Sequence, residues 1–165
     1  MKAVVCDASP LIFLAKLNRL DLISKVLQGE LIVLKCVVEE VISENAGVVE
    51  RERLSDFFKH VEVIDSCPPK LHSVSLSRSD QSTLTWAVKH QAQWLVADER
   101  LLRKIAREHG LSTIGFLGLL VEGARKGFLS AGDAKAAIDD SVSQYGCRIS
   151  VALYQRILSV LNDLC

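Results

Sequence analysis

Five short apolar runs, at residues 3–6, 31–34, 61–64, 94–97 and 111–114, are separated by stretches of helical period. Strands of that length joined through helices favour one arrangement, a parallel sheet buried on both faces by the helices that connect it. Ser9-Pro10 offers an N-cap and a first-turn proline for a helix through Leu11, Ile12, Leu14, Ala15 and Leu17. Asp21 is placed to cap a second short helix. Further helices are expected from about Val37, over 48–60 with Leu54, Phe57 and Phe58 inward, and over 79–90, 99–109 and 116–125. Cys67-Pro68-Pro69 marks a loop that continues to about Leu76. Beyond Gly127 the alternation stops, and two helices, 130–144 and 150–164, meet at a turn around Gly146.

The predicted architecture is a three-layer α/β/α domain spanning residues 1–165. Its central parallel sheet has four or five strands, and a helical extension covers about 128–165. The last helix carries Val151, Leu153, Tyr154, Ile157, Leu158 and Leu161, a wider apolar set than one narrow stripe needs. That width predicts packing onto the domain and a homodimer surface.

Against this frame, four isolated acids stand out: Asp7, Glu40, Asp80 and Asp98. Asp7 closes the first run and Asp98 the fourth, while Glu40 and Asp80 are expected in the first turns of helices. In an open α/β sheet the carboxyl ends of the strands converge on one crevice, so acids distant in sequence meet there. Clustered carboxylates with no basic partner repel one another unless a cation neutralises them. Oxygen-only sites suit Mg²⁺ or Mn²⁺.

Each acid also has a plainer reading. Asp7 and Ser9 fit helix capping as well as metal binding, in which Ser9 would hold a metal-bound water or fix a carboxylate. Glu39 and Glu40 fit complementation of a helix dipole, and only one of the two can face the crevice. Ser77 lies three residues before Asp80, a capping spacing that leaves a carboxylate oxygen for other use. Asp98 fits a ligand better than Glu99, which takes a supporting place. Arg100, Arg103, Lys104 and Arg107 recur at helical spacing beside Asp98, either as a phosphate-binding stripe or as a solvated face with Glu99–Arg103 pairing.

Lysine plus arginine equals aspartate plus glutamate at 20 each, so any nucleic acid must be met by a local patch. The five cysteines include no Cys-x-x-Cys pair, and Cys6 and Cys36 fall inside apolar runs, which suggests buried reduced thiols. With no signal peptide and no apolar run of spanning length, a cytoplasmic protein that does not enter membranes is expected. Histidines 60, 72, 90 and 109 lack zinc-ligand spacing and suit surface or capping roles. Gly-x-Gly-x-x-Gly, Walker and Gly-x-Ser-x-Gly patterns are absent, which removes the common nucleotide-binding and serine-hydrolase classes.

With the acids placed, the chain resembles the PIN domain, and most closely a small PIN-like family of predicted nucleic-acid-binding proteins similar to VapC-type toxins. The likeness is carried by Val5-Cys6-Asp7-Ala8-Ser9-Pro10-Leu11-Ile12, by Val37-Val38-Glu39-Glu40-Val41, by residues 76–87, by Leu95-Val96-Ala97-Asp98-Glu99-Arg100, and by Cys147-Arg148-Ile149-Ser150 with Leu153-Tyr154. The third motif departs from the family's Leu-Gly-x-Gly-Glu with a later glutamate: serines stand at 77 and 79, the acid is Asp80, and Ser82 replaces the second glutamate. The fourth also departs, since Val96 stands where many PIN domains have a hydroxyl residue.

What the resemblance implies is hydrolysis of RNA phosphodiesters with Mg²⁺ or Mn²⁺ held by Asp7, Glu40, Asp80 and Asp98. Ser9 and Glu99 would support them, and the toxin likeness implies an antitoxin protein as partner. Two rival classes stay open: a catalytically degenerate PIN domain that binds nucleic acid or a partner protein without cutting, and a metal-dependent phosphatase or phosphotransferase. The latter lacks any phosphate-cradling glycine loop.

Overall fold

In the computed structural model, described for residues 2–43, 46–70 and 75–165, the sheet has five strands. These are β1 (Ala3–Cys6), β2 (Glu30–Leu34), β3 (Glu62–Ile64), β4 (Trp94–Val96) and β5 (Ser112–Ile114). They run in the order β3-β2-β1-β4-β5 and every pairing is parallel. Val4, Val5, Cys6, Ile32, Val33, Leu34, Leu95 and Val96 are buried, as a sheet covered on both faces requires. The Cys6 thiol is pushed up to about 12 by burial and then by the neighbouring Asp7 charge, so it is an inert core group.

Nine helices are assigned among the described residues: α1 (Ala8–Lys16), α2 (Asp21–Val26), α3 (Lys35–Val41), α4 (Val48–Phe58), α5 (Arg78–Lys89), α6 (Arg100–Glu108), α7 (Phe116–Arg125), α8 (Ala131–Ser143) and α9 (Val151–Asn162). α1 packs on α3, α4 and α7, and α7 also meets α2, α8 and α9. α5 and α6 pack on each other. Right-handed crossovers place the helices of β1→β2→β3 on one face, and those of β3→β4→β5 on the other. β1 is therefore the strand from which the chain runs first one way and later the other. The gap between β1 and β4 is the topological switch point, where open sheets of this kind bind ligands.

Three helix starts differ from the sequence expectation. α1 begins at Ala8, with Asp7 in the N-cap position and no side-chain cap, so Ser9 is not its cap. α3 begins at Lys35, directly after β2, which makes Glu40 its sixth residue of seven and not a first-turn acid. The reason is a partner from outside the segment: the Cys36 N–H donates to Ser66 Oγ at 2.8 Å, so α3 opens without a cap residue of its own. Similarly, Asp21 is the first residue of α2 and caps nothing. Cys36 is half-buried, more open than its apolar run suggested. His60, His90 and His109 are exposed, while His72 and the 71–74 part of the loop lie outside the described residues.

The apolar width of α9 is used within the chain. Ile157 and Leu161 are buried, Leu153, Tyr154 and Leu158 are half-buried, and α9 packs on α7 and α8, leaving Val151 exposed. The Tyr154 hydroxyl donates to Asp139 on α8 at 2.6 Å, fixing the two helices together. Among the described residues, no helix is long and apolar enough to cross a membrane.

The segment after β3 is pinned to α5 by a buried hydroxyl, with Ser82 Oγ donating to the Cys67 carbonyl at 2.7 Å. Ser82→Ala leaves that carbonyl short of a partner and is expected to cost about 1–2 kcal/mol in urea unfolding. An unchanged midpoint would show that the pin carries no load.

Candidate active site

Asp7 extends β1 by one residue, and its N–H donates to the Val96 carbonyl at 2.9 Å, so its side chain leaves the sheet at the switch point. The side chain is almost wholly buried, at 2% exposure. Its Oδ1 is buried with no hydrogen-bond partner. Burial raises the carboxyl well above its ordinary range; the negative charge of Asp80 raises it further, the Ala8 N–H lowers it, and a side-chain hydrogen bond with Asp80 and the charge of Glu40 raise it again. A buried oxygen without a partner, pressed by two other acids, is costly unless something positive takes the place of water.

Asp80 reaches this point from α5. Its N–H donates to Ser77 Oγ at 3.0 Å, and the Ser77 N–H donates back to Asp80 Oδ2 at 3.4 Å. That reciprocal box was legible as a capping spacing, and it orients the carboxylate while leaving Oδ1 outside the box. Glu40 enters from the end of α3, exposed and close enough to act on Asp7. The dipole reading of Glu40 does not survive, because the C-terminal end of a helix disfavours an acid.

Asp98 is handled differently. Its Oδ2 accepts from Ser9 Oγ at 3.0 Å and its Oδ1 accepts from the Phe116 N–H at 2.9 Å, at the first turn of α7. Burial raises its carboxyl, against the Phe116 N–H, the Ser9 hydroxyl and the Arg103 charge, which lower it. The approach of α7 requires glycine at its N-cap: a Cβ on Gly115 would stand 2.6 Å from Asp98 Oδ1. Asp98 thus joins the crevice through Ser9, while Asp80 and Glu40 act directly on Asp7. Ser9 does fix a carboxylate, but that of Asp98.

The remaining sequence candidates separate. Glu99 is the N-cap of α6, its Oε2 accepting from the Leu102 N–H at 2.7 Å, and among the described residues no ion pair joins it to Arg103. Arg100, Lys104 and Arg107 are exposed on α6. Arg103 is half-buried and turned away from that face, with Nη1 beside Gly115 and a buried Nε that has no partner. Sequence spacing gave no sign of that turn. Ser82, in place of the family's later glutamate, is spent on the Cys67 carbonyl.

Among the described residues no three His, Cys, Asp or Glu side chains are gathered into a complete metal-ligand set. Mg²⁺ does not need one, since it keeps several waters and takes one or two carboxylates plus substrate phosphate. The Asp7–Asp80 pair, with its partnerless buried oxygen and oxygen-only donors, fits such an ion, with Glu40 near enough to contribute charge.

The model of the PIN-domain family DUF3368 matches residues 3–163. The chain belongs to the PIN-domain family. PIN domains are in general nucleases that use divalent metals. Among solved structures, this PIN domain is similar to a PilT N-terminus domain protein from the hyperthermophilic archaeon Sulfolobus solfataricus P2. The identity is 18%, the match covers 72% of this chain and 90% of that one, and the TM-score is 0.48. No curated protein matches the chain.

The Asp7 carboxyl binds its proton more tightly folded than unfolded. Without metal, stability is therefore expected to fall as pH rises from the ordinary carboxyl value, about 3.9, through the raised folded value. Asp7→Asn removes that charge and can donate its amide to Asp80. In chelator at neutral pH it is expected to stabilise the PIN domain by roughly 1–3 kcal/mol and to flatten the pH dependence. A variant melting below the wild type would mean that Asp7 is already compensated. Excess Mn²⁺ should raise the melting temperature of the wild type and leave that of Asp7→Asn nearly unmoved.

Proposed function

We propose that this PIN domain is a Mg²⁺- or Mn²⁺-dependent ribonuclease that hydrolyses RNA phosphodiester bonds. The observation that carries the reading is the buried, partnerless Asp7 Oδ1 at the switch point, pressed by Asp80 and Glu40. A protein that only binds nucleic acid has no use for a destabilising buried acid, whereas a metal-dependent hydrolase requires one. Asp7 and Asp80 hold the ion, with Glu40 adding charge and Asp98 at the edge of the same crevice. When bound, the ion activates a water and neutralises charge on the leaving oxygen.

The chain's own groups supply position. Ser9 and the α7 N-terminus lock Asp98, the Ser77 box orients Asp80, and Arg100, Lys104 and Arg107 offer exposed cations along α6 for the strand's phosphates. Zero net charge makes this local patch the electrostatic approach for a polyanion. An antitoxin partner, as VapC-like relatives would have, belongs to the same proposal and is open to copurification from the native source.

The test is cleavage of a panel of single-stranded and structured RNAs with Mg²⁺ or Mn²⁺. Asp7→Asn and Asp80→Asn are each expected to abolish cleavage, because they remove a charge that holds the ion. Arg100→Ala with Arg107→Ala is expected to weaken binding and to lower the slope of log affinity against log salt by roughly 2, leaving the Mn²⁺ response intact. RNA binding that survives chelation, with no cleavage under either metal, would establish the degenerate binder instead.

A further inference from the structure

Next to the acids lies a cleft of about 640 Å³ between α7 and α9, within the range of about 300–1,000 Å³ typical of small-ligand sites. Its floor is apolar, built by Ile114, Leu117 and Val121 on one side and Leu153 and Ile157 on the other. Its rim is polar, and there the pairing is uneven. Asp98 has both oxygens engaged, and Glu122 is paired with Arg125 at 3.0 Å. The two cations keep donors free: Arg103 lends its charge to Asp98 but has a buried Nε without a partner, and Arg148, exposed in the turn before α9, makes no hydrogen bond or ion pair among the described residues. The rim therefore offers guanidinium donors to an anion, while its acids are already occupied.

An apolar floor beside unspent guanidiniums matches a flat, poorly solvated ring that carries a phosphate. Asp98 belongs both to this rim and to the crevice, so a strand lying across the acids continues into the cleft. We propose that the α7–α9 cleft is a nucleotide subsite of the nuclease. In it, Arg103 and Arg148 hold the phosphate next to the cleaved one, and an unpaired base lies on the floor of Leu153, Ile157 and Val121. The inference rests on the ribonuclease reading above and deepens it: a base inside the cleft cannot be paired, so the substrate is single-stranded at that nucleotide. By helical spacing Arg103 belongs with the α6 stripe, and Arg148 lies in the segment Cys147-Arg148-Ile149-Ser150. The cleft joins them.

The experiment measures binding of a fluorescent ten-nucleotide single-stranded RNA, and of a duplex of equal length, to the full chain in chelator, where nothing is cut. The wild type is expected to prefer the single strand. Arg148→Ala should weaken that binding about tenfold and lower the salt slope by about 1, with Arg148→Lys recovering part of the affinity. Leu153→Trp, which fills the floor, should weaken the single strand and leave the duplex unchanged. Arg148 is exposed, so its variants test the rim even if the Leu153 variant fails to fold, which circular dichroism would reveal. Wild-type affinity in folded variants of both positions would overturn the subsite and leave the nuclease reading standing. Adenosine monophosphate displacing the strand at equal affinity would make the cleft a free-nucleotide site and also overturn the proposal. Absence of any RNA binding at low salt would bring down the nuclease reading itself.

Discussion

A carboxylate held out of water at the centre of a parallel sheet is the constraint around which this molecule is arranged. Asp7 leaves β1 where the chain's two directions of travel diverge; its N–H is paired with the Val96 carbonyl while its buried Oδ1 has no partner. Stability alone would replace such a group with a neutral one, because an unpaired buried charge costs several kcal/mol. The surrounding sequence instead adds two further acids. Structure and stability are set against each other at this one position, as is expected where a fold serves a ligand that completes it.

The four acids that resemble one another in sequence are two kinds of group in space. Asp7, Asp80 and Glu40 share an electrostatic environment, and each raises the cost of ionising the buried one. Asp98 is instead a junction. Through Ser9 it is bound to the start of α1, through Phe116 to the start of α7, and through proximity to Arg103 on α6. Three helices therefore meet at one carboxylate, and a Cβ on the glycine beside it would stand 2.6 Å from its Oδ1. A rigid frame thus lies on one side of the switch point and strained charge on the other.

Much of this was legible in the sequence because it depends on local chemistry. Apolar runs interrupted by helical periods marked all five strands to within a residue or so, and Ser77 with Asp80 announced a box that the structure contains. Where the reading strayed, the deciding partner came from elsewhere in the chain. The start of α3 is satisfied by Ser66, which no local cap signal could reveal, and so Glu40 was placed at the wrong end of its helix. Ser9 looked like a cap because Pro10 follows it, yet its hydroxyl serves Asp98, 89 residues away and just after β4. Arg103 kept helical register with Arg100 and Arg107, but Gly115 opens a space into which it turns.

The bond between Ser9 and Asp98 closes a separation of 89 residues. Parallel pairing over such a span is slow to form, because the loop must close before its contacts reward it. At about 5–20 residues per second of synthesis, a growing chain would carry Ser9 for roughly 5–20 s before Asp98 is made. During that interval β1 lacks one of its two neighbours, and the switch point does not exist. A chain cut short before β4 keeps three of its four acids but has no crevice to hold them in. Whatever this site does to a phosphodiester, it does only after most of the domain has been translated.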